Sequence, residues 1–270
     1  MPLPHKLKVW ILIAVAASGV GALPFIPRIS QDPTYHQFAD ARYILGIQNF
    51  WNVVTNLPFL FVGLAGLAVF RSHNQRRIAS GLRLCFAIFL LGMTLVSFGS
   101  AYYHYTPSNT SLVWDRLPMT IAFMALLVMV IGDCISPKHT GKLLWPLLLL
   151  GVGSVWYWYA TERAGAGDLR LYGLIQFFPV VLIPLTLVMF GAKSLRAGFL
   201  WATLATYVLA KVAEYFDAGL YTTTGVISGH SVKHLLAALS TFWIVLAFRQ
   251  PAKLSSEPNR SPLKPEIKTV

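Results

Sequence analysis

Two histidines, His230 and His234, lie four positions apart at the start of the last apolar segment of the chain. This spacing places both imidazoles on one face of a helix. His104 stands at the end of an earlier apolar segment, four positions after Ser100. Three imidazoles that leave one coordination position open are typical of a catalytic zinc site. The sequence therefore predicts a zinc ion bound by these three histidines, which would activate a water molecule for hydrolysis.

Such a reaction also needs a group that moves protons. The zinc motif of the zincin proteases has a glutamate directly after its first histidine, but here Ser231 stands at that position. Asp115, at the start of another apolar segment, is therefore predicted to act as the general acid and base. Ser100 is predicted to donate a hydrogen bond to the activated water or to a developing oxyanion. The alternative for Asp115 is a simple interfacial ion pair with Arg116.

Two further carboxylates, Glu214 and Asp217, lie at the depth predicted for the histidines and are predicted to support the metal ligands from outside. Ionisable groups in membrane helices are costly and are therefore usually functional or paired. Glu214 could instead form an ion pair with Lys211, three residues earlier on the same helix. The remaining histidines lie in termini or loops and are predicted to be solvated: His5, His36, His73 and His139.

The composition identifies a membrane protein. Of the 270 residues, 56% are hydrophobic and 12% are charged, whereas a soluble domain carries about a quarter charged residues. The apolar residues occur in long runs, and a run of about 18 or more with few charges is typical of a transmembrane helix. The net charge of +12 does not indicate nucleic-acid binding, because the basic residues stand at the ends of alternate segments and not in one patch.

Eight apolar segments are predicted to cross the membrane as helices: 9–26, 50–70, 82–103, 112–131, 143–160, 171–190, 198–216 and 230–248. The predicted fold is an all-α, polytopic membrane helix bundle. Residues 50–250 form a seven-helix core, residues 1–49 add a membrane helix and an outer loop, and residues 251–270 form a disordered cytoplasmic tail rich in Pro, Ser and Lys. The first segment also fits a cleaved signal peptide, although its apolar run is longer than is usual for one.

Basic residues determine the predicted orientation. Fifteen lysines and arginines fall at segment ends on one side, and only Arg28, Arg42, Arg163 and Arg170 fall on the other. The cytoplasmic loops of membrane proteins carry the excess of Lys and Arg. Both termini are therefore predicted to be cytoplasmic, and the zinc site is predicted to lie near the outer face.

Three motifs resemble those of the alkaline ceramidases: SAYYH at 100–104, WDRLPM at 114–119 and SGHSVKH at 228–234. They also resemble the wider superfamily of seven-helix hydrolases that includes the adiponectin and progestin receptors. The similarity in residue type, order and position covers about residues 40–248. It implies that the three histidines hold zinc. It also implies that Ser100 and Asp115 assist the hydrolysis of an amide bond in a lipid.

The segment NFWN at 49–52 is similar to the entry of the family's first core helix. In the eukaryotic ceramidases, acidic residues before and within this region bind calcium. Asn49 stands where an acid would be expected, and few carboxylates precede it. This departure makes calcium binding doubtful, and zinc is the predicted cofactor.

The predicted function is hydrolysis of the amide bond of a ceramide or a related N-acyl lipid, taken from the bilayer, with a mid-bundle apolar cavity for the acyl chain. Two other functions fit parts of the pattern. A receptor-like signalling bundle would keep a structural zinc sealed by a fourth ligand, such as Asp115 or Glu214. A transporter of a metal or small solute would need polar residues along both halves of the bundle, but the halves predicted to be cytoplasmic are apolar.

Overall fold

The computed structural model describes residues 3–72 and 78–249, and within them the all-α prediction is confirmed. Ten α-helices follow one another in this part of the chain: α1 (His5–Ala22), α2 (Phe50–Val54), α3 (Leu57–Arg71), α4 (Ser80–Tyr105), α5 (Asn109–Cys134), α6 (Thr140–Arg163), α7 (Arg170–Phe190), α8 (Ala197–Tyr215), α9 (Asp217–Thr224) and α10 (Gly229–Phe248). The predicted tail at 251–270 and His73 lie outside the described residues.

Seven stretches of the described residues are long and apolar enough to cross a membrane. They comprise α1, the pair α2 and α3, α4, α5, α6, α7 and α10, which identifies a multi-pass membrane protein. The segment predicted at 198–216 does form a helix, α8, but this helix is not among the seven. It carries Lys211 and Glu214 in its second half, and these two charged residues lower its hydropathy.

The segment predicted at 50–70 is divided into α2 and α3. Pro58 explains the division, because it lacks the amide N–H that would bond to the carbonyl of Val54 in a continuous helix. α2 accordingly ends at Val54, and α3 begins with Pro58 in its first turn. The break buries two polar residues, Thr55 and Asn56, inside the bundle.

Helices α4 and α5 form the centre of the bundle, and α5 is the most deeply buried of the candidate spans. Gly99 of α4 lets the two helices approach closely, because a Cβ atom there would collide with the carbonyl oxygen of Trp114. Gly99 directly precedes Ser100, and Trp114 directly precedes Asp115. This backbone contact therefore brings the two predicted catalytic residues side by side.

One end of the bundle, which we term the site end, is where α4 and α8 end and where α5, α7 and α10 begin. The connection between α1 and α2, residues 23–49, lies over this end. Arg170 ties the connection to α7 by donating from Nη1 to the carbonyls of Leu23 and Ile26, at 2.9 and 2.7 Å. Helix α1 itself is peripheral, packs against α7 and buries Leu12 alone.

The opposite end of the bundle is a packed apolar core. The rings of Phe86 and Phe248 are fully buried and stack with centroids 3.9 Å apart. Asp133 closes this end by accepting hydrogen bonds from the backbone N–H groups of residues 193–195, at 2.8 to 3.2 Å. Backbone N–H groups therefore satisfy the hydrogen-bonding capacity of this buried carboxylate.

Candidate metal centre and active site

Three histidines converge at the site end. His104 lies in the last turn of α4, and His230 and His234 lie in the first turns of α10. The Nε2 atom of His104 is 3.1 Å from the Nε2 of His234 and 3.4 Å from the Nε2 of His230. One ring nitrogen of each histidine lies within 4.8 Å of the other two, and all three residues are buried. The fold thus unites residues that are 126 positions apart in the chain.

Hydrogen bonds determine which ring nitrogens carry lone pairs. Thr55 donates its hydroxyl proton to the carbonyl oxygen of Trp51 at 2.6 Å. Its oxygen can therefore only accept from the Nδ1 of His234, which is 3.0 Å away. His234 is then protonated on Nδ1 and has a lone pair on Nε2. The Nε2 of His230 has a lone pair as well, because the ammonium of Lys233, 2.9 Å away, can only donate.

This donor set fits a zinc ion. The Nε2 atoms of His230 and His234 both lie close to the Nε2 of His104, and the Nδ1 of His104 is buried without a hydrogen-bond partner. Zinc binds histidine nitrogens at about 2.0–2.1 Å in tetrahedral geometry, which separates neighbouring ligand atoms by about 3.3 Å. Two of the three separations, 3.1 and 3.4 Å, match that distance, and all three ligand atoms lie within 4.8 Å of one another.

Asp217 and Phe38 contact the histidines from the side of the 23–49 connection. The carboxylate of Asp217 accepts hydrogen bonds from the backbone N–H of His230 at 2.7 Å and from that of Ala39 at 3.2 Å. The ring of Phe38 packs on His104 and His230 with centroid distances of 4.7 and 5.0 Å. Asp217 therefore positions the first turn of α10 through its backbone, and Phe38 shields the imidazoles from water.

Polar residues near α2, absent from the predicted site, anchor the helices that carry the histidines. The side chain of Asn49 donates to the carbonyl of His104 at 2.8 Å, and that of Asn52 accepts from the hydroxyl of Ser231 at 2.7 Å. Both asparagines are buried. Polar residues inside an apolar segment are a signal of such contacts, and this signal also applies to Thr55.

Ser100 and Asp115 lie in the wall of a cavity that His234 of the triad also lines. Both residues are buried. The Ser100 side chain lies close to the Asp115 carboxylate, where the backbones of α4 and α5 meet at Gly99 and Trp114. The alternative pairing of Asp115 with Arg116 is not formed, because neither residue takes part in an ion pair with another described residue.

Glu214 binds two lysines and does not contact the histidines directly. It forms one ion pair with Lys211, as the i,i+3 alternative predicted, and a second with Lys233 at 3.1 Å. Lys233 in turn lies 2.9 Å from the Nε2 of His230. Glu214 therefore reaches the triad only through Lys233. This lysine is missing from the predicted site, although it stands between the two histidines of α10 in the sequence.

His36 is not solvated, and that prediction is wrong. Its side chain is half-buried, and its ring nitrogens lie 3.0 Å from the hydroxyl of Tyr103 and 3.0 Å from the side-chain oxygen of Asn109. The physical reason is that the 23–49 connection folds back over the ends of α4 and α5. A loop position in the sequence therefore becomes a covered position in the fold.

Two arginine–aspartate pairs hold the loops of the site end. Arg42 pairs with Asp40 at 2.6 Å, and Arg170 pairs with Asp168 at 2.7 Å. The hydrogen bonds from Arg170 lower the pKa of Asp168 to about 2, although burial of the carboxylate opposes this shift. Hydrogen bonds from Arg42 likewise overcome the effect of burial and lower the pKa of Asp40.

The cavity has a volume of about 710 Å³. Most of its wall is apolar and comes from α3, α4, α5, α7, α8 and α10, with Phe59, Met93, Phe123 and Ile183 among the lining side chains. The charged residues in the wall all belong to the site end: Asp115, Arg116, Arg170, Lys211, Glu214 and Lys233. The arrangement is an apolar chamber with one charged end, and His234 of the triad lines that end.

The family model described as Ceramidase matches residues 42–263, which include the three histidines, Ser100 and Asp115. Among curated proteins, none matches the chain. The family match extends over most of the chain and agrees with the membrane-helix architecture. The chain therefore belongs to the ceramidase family, membrane hydrolases that act on an amide bond of a lipid.

Proposed function

We propose that the protein is a zinc-dependent amidase that hydrolyses the amide bond of a ceramide or a related N-acyl lipid. The observation that carries the proposal is that Ser100, Asp115 and His234 of the histidine triad line the same end of one apolar cavity. Metal-dependent hydrolysis of a lipid amide uses a metal site, a group that carries protons, and an apolar space that places the acyl chain. All three occur here within one end of the bundle.

His104, His230 and His234 are the residues that would hold the zinc ion. When bound, zinc supplies Lewis-acid activation of a water molecule and of the amide carbonyl. The hydrogen bond between His234 and Thr55 keeps the Nε2 of His234 available to the metal. Asp217 keeps the first turn of α10 in register through the backbone of His230.

Asp115 carries the proton in the proposed reaction. Its carboxylate takes a proton from the attacking water and delivers it to the amide nitrogen, so that the C–N bond breaks and the amine leaves. Water is the one co-reactant, and the products are a fatty acid and a long-chain amine. The hydroxyl of Ser100, first predicted to serve the water or an oxyanion, is placed to orient this carboxylate.

The cavity is proposed to hold the acyl chain. Its volume of about 710 Å³ falls in the range of about 300–1,000 Å³ typical of ligand sites. The charged groups in its wall belong to one end only, which does not favour a transport path. Glu214 is engaged by two lysines, which does not favour its use as a fourth, sealing zinc ligand.

The proposal includes an orientation in the bilayer. The orientation counts α8 as an eighth span, because it packs along α10, which is itself a candidate span. With eight spans, the excess of basic residues at the ends opposite the site supports cytoplasmic termini and a site near the outer face. A reporter fused after Val270 should behave as cytoplasmic, and one inserted at Ser108 as external. The reverse pattern would overturn the orientation without affecting the proposed chemistry.

The decisive experiment measures fatty-acid release from N-palmitoylsphingosine in detergent micelles by the purified full-length protein. The zinc content of the same sample is measured before chelation, after chelation and after zinc is restored. Release is expected from the zinc-containing protein, should be lost on chelation and should return with zinc. Full zinc content without release from any N-acyl lipid would refute the amidase and favour a receptor-like bundle with structural zinc.

A further inference from the structure

Three basic residues at the site end line the cavity: the buried Arg116 and the partly exposed Lys211 and Lys233. The cavity wall supplies two carboxylates that could balance them, Asp115 and Glu214. Glu214 is shared between the two lysines. Arg116 is thus the cation of this wall that is left without an ion-pair partner among the described residues.

The environment of Arg116 is built to hold a guanidinium. Arg116 is 5% exposed, and its carbon Cζ lies 4.1 Å from the ring centroid of Trp158 and 4.6 Å from that of Tyr172. Its Nη2 donates a hydrogen bond to the side-chain oxygen of Gln31 at 2.7 Å. Its Nη1 is buried and has no hydrogen-bond partner. Arg116 is therefore an almost fully desolvated cation of the cavity wall with one donor that has no partner.

Two other arginines of the site end, Arg42 and Arg170, are paired with carboxylates. Arg42 and Arg170 each make paired hydrogen bonds from Nε and Nη2 to an aspartate two residues earlier, Asp40 and Asp168. Arg116 has Asp115 as its direct neighbour in sequence but does not form an ion pair with it. Leaving a buried cation unpaired is costly, so the missing anion is expected to come from a ligand.

We propose that Arg116 binds an anionic group on the amine portion of the substrate, so that the preferred substrate is an acidic N-acyl lipid bearing a carboxylate or a phosphate. This inference rests on the amidase proposed above. The apolar chamber takes the acyl chain, which leaves the amine portion at the charged end of the cavity beside Asp115. The planar fork of a guanidinium matches both carboxylate and phosphate oxygens. Binding the anionic group of the substrate at Arg116, next to Asp115, would also hold the scissile amide near the triad.

The test compares three lipids with the same acyl chain: N-palmitoylsphingosine, its 1-phosphate, and N-palmitoylglycine. Palmitate release gives kcat/KM for each, and the informative quantity is the ratio of the acidic lipid to the neutral one. We expect at least one acidic lipid to be preferred by roughly tenfold or more, the scale of a hydrogen bond to a charged group. Comparison of the phosphate-bearing lipid with the carboxylate-bearing lipid identifies which anion is bound. A wild-type ratio of one or below for both acidic lipids would overturn the proposal.

Two variants locate the effect. Arg116→Gln should lower the acidic-to-neutral ratio by roughly tenfold or more. Arg170→Gln is the matched control, because Arg170 lines the same cavity but its charge is already paired with Asp168; the ratio should not change. If Arg116→Gln fails to fold, as judged by thermal unfolding, Arg116→Lys keeps the charge but loses the fork and should still lower the ratio. An unchanged ratio in a folded Arg116 variant would refute the assignment.

A binding measurement separates this inference from the proposed amidase. Ether analogues of the same lipids, in which no amide can be cleaved, are added to wild-type protein and their effect on the unfolding temperature is recorded. Greater stabilisation by an acidic analogue than by the neutral one, with the difference lost in Arg116→Gln, supports the anion site even if no lipid is hydrolysed. Equal stabilisation by acidic and neutral analogues overturns it even if ceramide is cleaved.

Discussion

The hydroxyl oxygen of Thr55 lies 3.0 Å from the Nδ1 of His234, a residue 179 positions later in the chain. Because Thr55 gives its own proton to the carbonyl of Trp51, it accepts the proton of the imidazole. The contact therefore sets the tautomer of a proposed metal ligand. Groups that orient metal-bound histidines typically change metal affinity by about 10–100-fold when removed.

Thr55→Val should accordingly weaken zinc binding by about 10–100-fold, because it deletes the acceptor but keeps the shape of the side chain. Competition with a chelator of known affinity gives this number. Thr186→Val is the matched control, since Thr186 makes the same hydrogen bond to the carbonyl four residues earlier, at 2.6 Å, away from the triad. Equal zinc affinity in the two variants would remove Thr55 from the site.

His234→Ala should reduce zinc content sharply, because two imidazoles hold the metal more weakly than three. Metal analysis of the purified protein measures the effect. His36→Ala serves as the control, since His36 is hydrogen-bonded and lies near the site end but does not belong to the triad. Full zinc occupancy in a His104→Ala/His234→Ala double variant would eliminate the proposed ligand set.

Asp115→Asn should leave zinc bound while amide hydrolysis falls by roughly a hundredfold or more, the usual scale for a general acid and base. The substitution preserves the size of the side chain but removes the carboxylate. Zinc content and fatty-acid release must be measured on the same preparation. Ser100→Ala should cost less, because Asp115 itself remains.

The pattern of loss distinguishes the alternatives for Asp115. Loss of zinc in Asp115→Asn would make this residue a fourth ligand and favour a sealed, structural metal site. Retained zinc with undiminished turnover would assign proton transfer to another group.

Gly99→Ala should lower both turnover and thermal stability, the latter by about 1–3 kcal/mol, because the new methyl group must push α4 away from the backbone of α5. The displacement would separate Ser100 from Asp115. Gly153→Ala in α6 is the control, since a Cβ there meets nothing within 4 Å, and it should be neutral or slightly stabilising. Unfolding temperature and fatty-acid release are the two measurements, and wild-type values for both in Gly99→Ala would contradict the close helix contact.

Asp168 makes the stability of the site end depend on pH. Its pKa is about 2 in the folded protein, against an ordinary value of 3.8. The stabilisation from its pairing with Arg170 is therefore present above 3.8 and is lost as the pH falls through about 2. Asp168→Asn should unfold at a lower temperature than wild type at pH 6, and the gap should shrink steadily below pH of about 4. If the difference in unfolding temperature between wild type and Asp168→Asn does not change with pH, the destabilisation comes from lost packing and not from lost charge.

The sequence by itself determined the helical class, most helix positions and the identity of the triad. Long apolar runs must become helices in a membrane, since backbone groups there must be satisfied within the segment. The four-residue spacing of His230 and His234 places them on one face of a helix before any packing is known. His104 and Asp115 could be assigned to the same site as these two histidines, because the segment ends that carry them are predicted to lie on the same side of the membrane.

Only the tertiary structure decided which partners those residues meet. The break at Pro58 is visible in the sequence, but its consequence, a threonine bonded to His234, depends on how α10 packs against α2 and α3. Arg116 stands beside Asp115 in the sequence yet packs on Trp158 and Tyr172, because adjacent residues of a helix point in different directions. Side-chain contacts between distant segments depend on packing geometry, which hydropathy and spacing do not encode.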